Sequence, residues 1–344
     1  PHCECAGHRR MSARRESEFN PSRLLRNPHV QSVLASSSLR RLLLRRRARA
    51  VERGARTMML DGGDGVRLLG FHTAQRALPA PRGLAVMFHG WEGSARSTYL
   101  LQTGGRLLAE GWDVFRLNFR DHGGTHDLNR GIFHSCLIDE VAATVGDIAS
   151  RFPQQPLALI GYSLGGNFAL RVGLRAPALG IPLSRVLAVC PVVSPHRGLA
   201  AIESSRWFYH AYFMHKWRLS LKRKQRAFPG EQLFERRQLH GSLRELTRAL
   251  VLRHTDFGSL DNYLDGYSIA GDQLASLQVP ASILTSRDDP VIPVGDFERL
   301  QLPPCAELTI VEHGGHCGFI RDLGMSSFAE DFIVDRLSRL ERTA

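Results

Sequence analysis

No stretch of the 344 residues approaches the roughly 18 consecutive apolar positions that a membrane-spanning helix needs. The run SVLASSSLRRLLLRRR is too often interrupted by serine and arginine to form the core of a signal peptide. The expectation is therefore a cytoplasmic protein, with peripheral contact at the inner face of the membrane as the one membrane role left open. Cysteine is sparse: the six residues, at 3, 5, 136, 190, 305 and 317, fall in what read as different elements and form no disulfide framework. Cys3 and Cys5 beside His2 and His8 have the residue types of a metal site. They precede Met11, which reads as a natural start, so residues 1–10 are not expected to belong to the native fold, and no metal is expected there. Lysine is nearly missing, three of 45 basic residues, so part of the arginine content reflects composition rather than a ligand. Internal repeats are also lacking.

What charge there is sits unevenly. Of the formal net charge of +12, residues 1–54 carry thirteen arginines against four acids, and residues 203–253 carry twelve bases against four acids. Two basic segments thus decorate a mildly acidic body, which argues against a surface built throughout for nucleic acid. LRRLLLRRRARAVERGAR, 39–56, has none of the aromatics that stack bases and reads as a solvated basic helix.

From about residue 56 apolar runs alternate with helical spacing, the pattern of an α/β protein with a mostly parallel sheet covered on both faces. RTMMLDGGDGVRLLGFHT reads as a hairpin turned by Asp61 to Gly65. LAVMF (84–88), VFRLNF (114–119), LALI (157–160), VLAVCPVV (186–193), SILTS (282–286) and LTIVE (308–312) read as further strands, and SFAEDFIVDRL as a closing amphipathic helix. Between Pro195 and Pro280 the alternation stops, leaving aromatic, basic and helical segments. The division expected is a basic N-terminal extension over 1–55, partly helical or disordered, then a domain over 56–344 with a helical lid insertion at about 196–279. An insertion leaving the carboxyl edge of a parallel sheet covers the crevice where ligands bind.

GYSLGGN, 161–167, follows LALI directly. A chance G-x-S-x-G in a chain of this size has odds of roughly one in five, so the motif needs chemical partners. A serine hydroxyl becomes a nucleophile when a histidine takes its proton and an acid orients that histidine. SRDDPVIP follows SILTS and HGGHCGF follows LTIVE, so Ser163, Asp289 and His316 stand in the order of a hydrolase nucleophile elbow, each beyond an apolar strand. Asp288 is an equally good carboxylate by chemistry; its spacing to the hydrophobic pair and Pro293 favours Asp289. His313 competes with His316, which the preceding Gly314 and Gly315 favour by letting the loop approach another backbone. Read as metal ligands, His313, His316 and Cys317 lack a further ligand of suitable spacing. The oxyanion formed on attack needs two backbone N–H donors. Leu164 can supply one, and FHGWEGS after LAVMF can aim the N–H of Trp91 as the other. His89 in that loop reads as a buried, hydrogen-bonded histidine.

With these motifs in register from NPHVQS (27–32) through FHGWEGS, NFRDHGG, GYSLGGN and SRDDPVIP to HGGHCGF, the chain resembles the α/β-hydrolase superfamily, and more narrowly its YheT-like branch of esterases. The resemblance implies an eight-stranded mostly parallel sheet, a Ser163, His316, Asp289 triad, an oxyanion hole at Trp91 and Leu164, and no metal or organic cofactor. It implies action on carboxylic esters, with lipid and phospholipid hydrolases among animal relatives. Asp121 and His122 stand where the branch more often has small residues, and are expected either to alter the pocket floor or to be solvated. DNYLDGY resembles the branch's pattern only loosely.

In RWFYHAYFMHKWRLSLKRKQR, 206–226, Trp207, Met214 and Leu221 recur every seven residues, with Phe208 and Tyr212 beside them and bases at the end. Such a face suits either a wall for an acyl chain, the favoured reading, or a membrane interface. The two are compatible if a lid opens at a surface. The expected function is a serine hydrolase cleaving carboxylic esters, short or medium acyl esters or glycerolipids, through an acyl-enzyme. The alternative is a non-catalytic membrane-surface or partner-binding module on the same fold.

Overall fold

A computed structural model describes residues 19–204 and 207–339. The group of His2, Cys3, Cys5 and His8, together with Met11, lies outside the described residues, as do the side chains of Trp207 and Phe208. After a 3-10 turn over Arg23–Arg26 come three short α-helices: α1 (Pro28–Ala35), α2 (Ser38–Leu43) and α3 (Arg45–Arg53). Eight strands follow: β1 (Ala55–Asp61), β2 (Arg67–Thr73), β3 (Leu84–Phe88), β4 (Asp113–Asn118), β5 (Leu157–Tyr162), β6 (Leu183–Val189), β7 (Ala281–Ser286) and β8 (Ala306–Val311). They form one sheet in the order β1-β2-β4-β3-β5-β6-β7-β8. The β1–β2 and β2–β4 pairs are antiparallel and every other pair is parallel. Helices α4 (Thr98–Ala109), α5 (Ile138–Arg151) and α6 (Leu164–Arg175) cross between strands. Between β6 and β7 lie α7 (Pro195–Ser204), α8 (Trp207–Ala227), α9 (Arg236–His240), α10 (Leu243–His254) and α11 (Leu260–Asp265). A short α12 (Val294–Phe297) and the closing α13 (Phe328–Ser338) complete the chain.

The continuous apolar strands follow from burial on both faces. Successive side chains of β3 point to opposite sides: Leu84, Val86 and Phe88 join a core with α5 and α6 residues such as Val145 and Phe168. Ala85 and Met87 join another with Leu101 of α4 and Ile333 of α13. A third apolar cluster binds the helices between β6 and β7 together through Met214, Trp217, Leu246, Leu250 and Leu264. Among the described residues no helix is long and apolar enough to cross a membrane.

Two expectations are corrected. The strand expected over 186–193 runs instead over Leu183–Val189, because Cys190 turns at φ 45° and Pro191 has no N–H to give the sheet. The basic stretch 39–56 is not a solvated helix throughout. It is two helices whose inner side is buried: Arg40 is 1% exposed and pairs with the equally buried Glu330 of α13, which also holds Arg47 at 2.9 Å. A buried arginine requires such a partner, and its partner lies at the far end of the sequence.

Candidate active site

Ser163 stands between β5 and α6 in a backbone conformation rare for a non-glycine residue, φ 54° and ψ −121°. The turn is tight enough to require glycine on both sides. A Cβ at Gly161 would come 2.1 Å from the Gly165 carbonyl oxygen, and one at Gly165 2.5 Å from that of His89. Strain of this kind persists only where the surroundings hold it, and here it lifts the hydroxyl clear of the sheet.

The loops after β7 and β8 bring the other expected residues to that hydroxyl. His316 Nε2 lies 2.9 Å from Ser163 Oγ, and His316 Nδ1 lies 2.9 Å from Asp289 Oδ2. With the Nδ1 proton donated to Asp289, the neutral ring leaves Nε2 free to accept from the hydroxyl. The other Asp289 oxygen accepts the Val291 and Ile292 N–H groups at 2.8 and 3.0 Å, so the carboxylate is fixed. Asp288 points elsewhere: it accepts the Gly315 N–H at 2.8 Å and faces His313 at 3.5 Å. Burial acts to lower the pKa of His316, but the charge of Asp289, a contribution from Cys317 and their hydrogen bonds outweigh it and hold the ring well above the ordinary histidine value.

Trp91 and Leu164 border the same cavity as Ser163, and among the described residues neither N–H has a backbone or side-chain acceptor. The Gly90 backbone lies against the serine, since a Cβ there would stand 3.2 Å from Ser163 Cβ. This loop is held from many sides. Tyr99 Oη accepts the Gly90 N–H at 2.9 Å, Asn118 Oδ1 accepts the Ala95 N–H at 2.7 Å, and Lys216 Nζ of α8 donates to the Glu92 carbonyl at 3.1 Å. His89 is fully buried, with Nδ1 2.7 Å from the Gly90 carbonyl and Nε2 accepting the Phe119 N–H.

Asp121 and His122 are both buried, which corrects the solvated alternative. His122 Nε2 accepts the Glu92 N–H at 3.2 Å; burial lowers its pKa to about 4, so near neutrality it is an acceptor. Asp121 takes the Phe133 N–H and, at 2.8 Å, the ammonium of Lys224, which is 1% exposed. The basic end of α8 is thereby tied to the loop after β4.

The contribution from α1 comes through NPHVQS, a motif that the family resemblance includes without assigning it a role. Asn27 caps this helix by accepting the His29 and Val30 N–H groups, with Pro28 in its first turn. Ser32 Oγ then accepts the His316 N–H at 2.8 Å, and the buried Gln31 makes two hydrogen bonds with the backbone of Ile320. The serine and glutamine of NPHVQS hold the histidine loop, a role that spacing alone does not reveal because the contact spans nearly the whole chain.

The cavity has a volume of about 1030 Å³, at the upper end of the roughly 300–1,000 Å³ usual for ligand pockets. One wall is apolar, from Leu199, Phe213, Trp217, Leu250 and Leu264 of the helices between β6 and β7. Trp91 stacks on Phe213 with centroids 5.5 Å apart and meets Trp217 edge-on at 5.3 Å. Glu92 also borders the cavity; burial, partly offset by the charge of Lys216, raises its pKa to about 7.

The family described as serine aminopeptidase, S33, matches residues 79–317. The Escherichia coli protein named "Putative esterase YheT" is 28% identical over 312 residues, covering 88% of this chain and 87% of that protein. The mouse protein named "Phospholipase ABHD3" is 22% identical over 253 residues, covering 70% of this chain and 59% of that protein. Among solved structures, the Pyrococcus furiosus esterase Pf2001 superposes with a TM-score of 0.53 at 18% identity, covering 84% of this chain and 90% of that one.

Proposed function

The chain belongs to the S33 family of α/β hydrolases and to its YheT-like esterases, and from that membership we propose that it is a serine hydrolase cleaving carboxylic esters through an acyl-enzyme. The observation that carries the reading is the unbroken path from Ser163 Oγ through His316 to Asp289, with both contacts at 2.9 Å. Ser163 Oγ attacks the ester carbonyl while His316 Nε2 takes its proton, and Asp289 stabilises the imidazolium without itself being protonated. The N–H groups of Trp91 and Leu164 meet the oxyanion. Collapse expels the alcohol, which takes its proton from His316 and leaves the acyl group on Ser163. A water, deprotonated by the same nitrogen, then releases the acid.

The apolar wall suits an acyl chain, and relatives named as a monoacylglycerol lipase and a phospholipase favour glycerolipids among the esters. On this reading residues 196–279 act as the lid. Peripheral membrane contact is part of the proposal: Leu39, Leu42 and Leu43 are each more than half exposed, with Arg45 and Arg46 close by in sequence and also exposed. Labelling by a fluorophosphonate tests the nucleophile. It is expected to vanish in Ser163→Ala and persist in Ser94→Ala, whose hydroxyl also borders the cavity. Equal labelling of both variants would remove Ser163 from the role. A non-catalytic module would show no labelling at all and no turnover across esters from acetyl to long acyl.

A further inference from the structure

Behind the nucleophile two cysteines that ester cleavage does not use flank the catalytic histidine. The sulfurs of Cys190 and Cys317 and a ring nitrogen of His316 all lie within 4.8 Å of one another. Both cysteines sit at turns of positive φ, 45° and 62°, that follow β6 and β8. The Cys317 N–H points at Cys190 Sγ, 3.4 Å away. Both thiols are far from the nearest backbone carbonyls: Cys190 Sγ is 3.9 Å from that of Gly315, and Cys317 Sγ 3.8 Å from that of Val189. Cys190 is buried, but Cys317 and His316 border the substrate cavity, which gives the group an entrance.

Zinc takes thiolate sulfur at about 2.3 Å and imidazole nitrogen at about 2.0–2.1 Å, so tetrahedral ligand atoms stand roughly 3.5–3.8 Å apart. Three such atoms already within 4.8 Å of one another stand close to that spacing. Two sulfurs and one nitrogen suit a soft or borderline cation and not magnesium or calcium, which require oxygen. His313, the other histidine of the loop, is turned away towards Asp288. The further ligand missing from the sequence motif is supplied by Cys190, just past the end of β6, two strands from β8 in the sheet.

We propose that Cys190, Cys317 and His316 form a binding site for a soft divalent cation of the zinc or cadmium type, and that filling it switches the hydrolase off. On binding, each thiol releases its proton to solvent, and the dication gains two thiolates and one imidazole nitrogen. Both ring nitrogens of His316 are already engaged, one with Ser163 and one with Asp289. A metal on either nitrogen displaces the hydroxyl or the carboxylate, and both losses break the proton path. The inhibitory consequence rests on the serine-hydrolase reading; the binding does not.

The experiment uses the full chain carrying Cys3→Ser and Cys5→Ser, which removes the other cysteine pair, reduced with a phosphine. Cadmium chloride is titrated while the ultraviolet charge-transfer band of cadmium–thiolate bonds is followed, and zinc chloride is titrated against ester hydrolysis. The site predicts a band saturating at one cadmium per chain. The band is lost in Cys190→Ser and in Cys317→Ser and retained in Ser163→Ala, so failure of the ester reading leaves this result intact. Zinc should inhibit reversibly to chelation, and each cysteine variant should need at least about ten times more zinc for half-inhibition. Cys190→Ala and Cys317→Ala repeat the measurement should a serine variant fail to fold. Absence of the band in the parent protein, or a band and zinc sensitivity unchanged in the cysteine variants, would overturn the proposal.

Discussion

His316 sets the pH behaviour, because it accepts a proton only when neutral. Asp289 and its neighbours hold its pKa above 6.5 against the effect of burial, so kcat/KM should rise with pH along an acid limb whose midpoint lies above 6.5. Asp289→Asn removes the raising charge; the limb should move to lower pH and kcat fall by ~10⁴, as in the serine-protease template. Asp288→Asn should leave both nearly intact, since Asp288 is bonded to the Gly315 N–H and not to the catalytic ring. Burial raises the pKa of Glu92 as well, to about 7, so the profile is measured in Glu92→Gln too; an acid limb that disappears there would assign it to the carboxyl. At this scale the sequence was informative where chemistry and order coincide. Ser163, Asp289 and His316 are each the polar residue beyond an apolar strand, and the glycines at 161 and 165 are demanded by crowding. Ser32 and Cys190 were not legible, because a lone serine in a helix and a lone cysteine after a strand acquire meaning only from what the fold sets beside them.

Among the elements, α8 depends on a buried ion pair. Lys224 reaches Asp121 at 2.8 Å and also donates to backbone carbonyls, including that of His126 at 3.2 Å. Lys224→Met leaves the Asp121 charge buried without its cation and should cost about 3–5 kcal/mol in denaturant unfolding. Adding Asp121→Asn should recover a large part, because replacing both charges is often close to neutral. A single variant as stable as the parent would show that the pair does not hold α8 in place. The strands and crossover helices were legible because burial on both faces writes continuous apolar runs. The apolar pattern overstates β6 because apolar residues continue past Cys190, where the backbone turns away. The region 39–56 departs from its sequence pattern for another reason. Arginine is ordinarily a surface residue, and only the fold reveals Glu330 lying against Arg40.

For the whole molecule, the two basic segments and the exposed leucines of α2 bear on where the substrate is met. Vesicles containing anionic lipid should bind the protein, binding should weaken as salt is raised, and Leu42→Ser with Leu43→Ser should reduce it further. Binding indifferent to both salt and these leucines would remove the membrane from the proposal. The net charge signalled these segments, but composition alone could not tell a buried arginine such as Arg40 from exposed ones such as Arg45 and Arg46. The central claim is that the Ser163 hydroxyl becomes covalently acylated, and it is tested most directly by rapid acid quench during turnover of a p-nitrophenyl ester, followed by mass analysis of the peptide containing residue 163. The account predicts an acyl adduct on Ser163, formed with a burst of p-nitrophenol and lost in Ser163→Ala together with turnover. Undiminished hydrolysis by Ser163→Ala, with no adduct on that peptide in the parent protein, would contradict it.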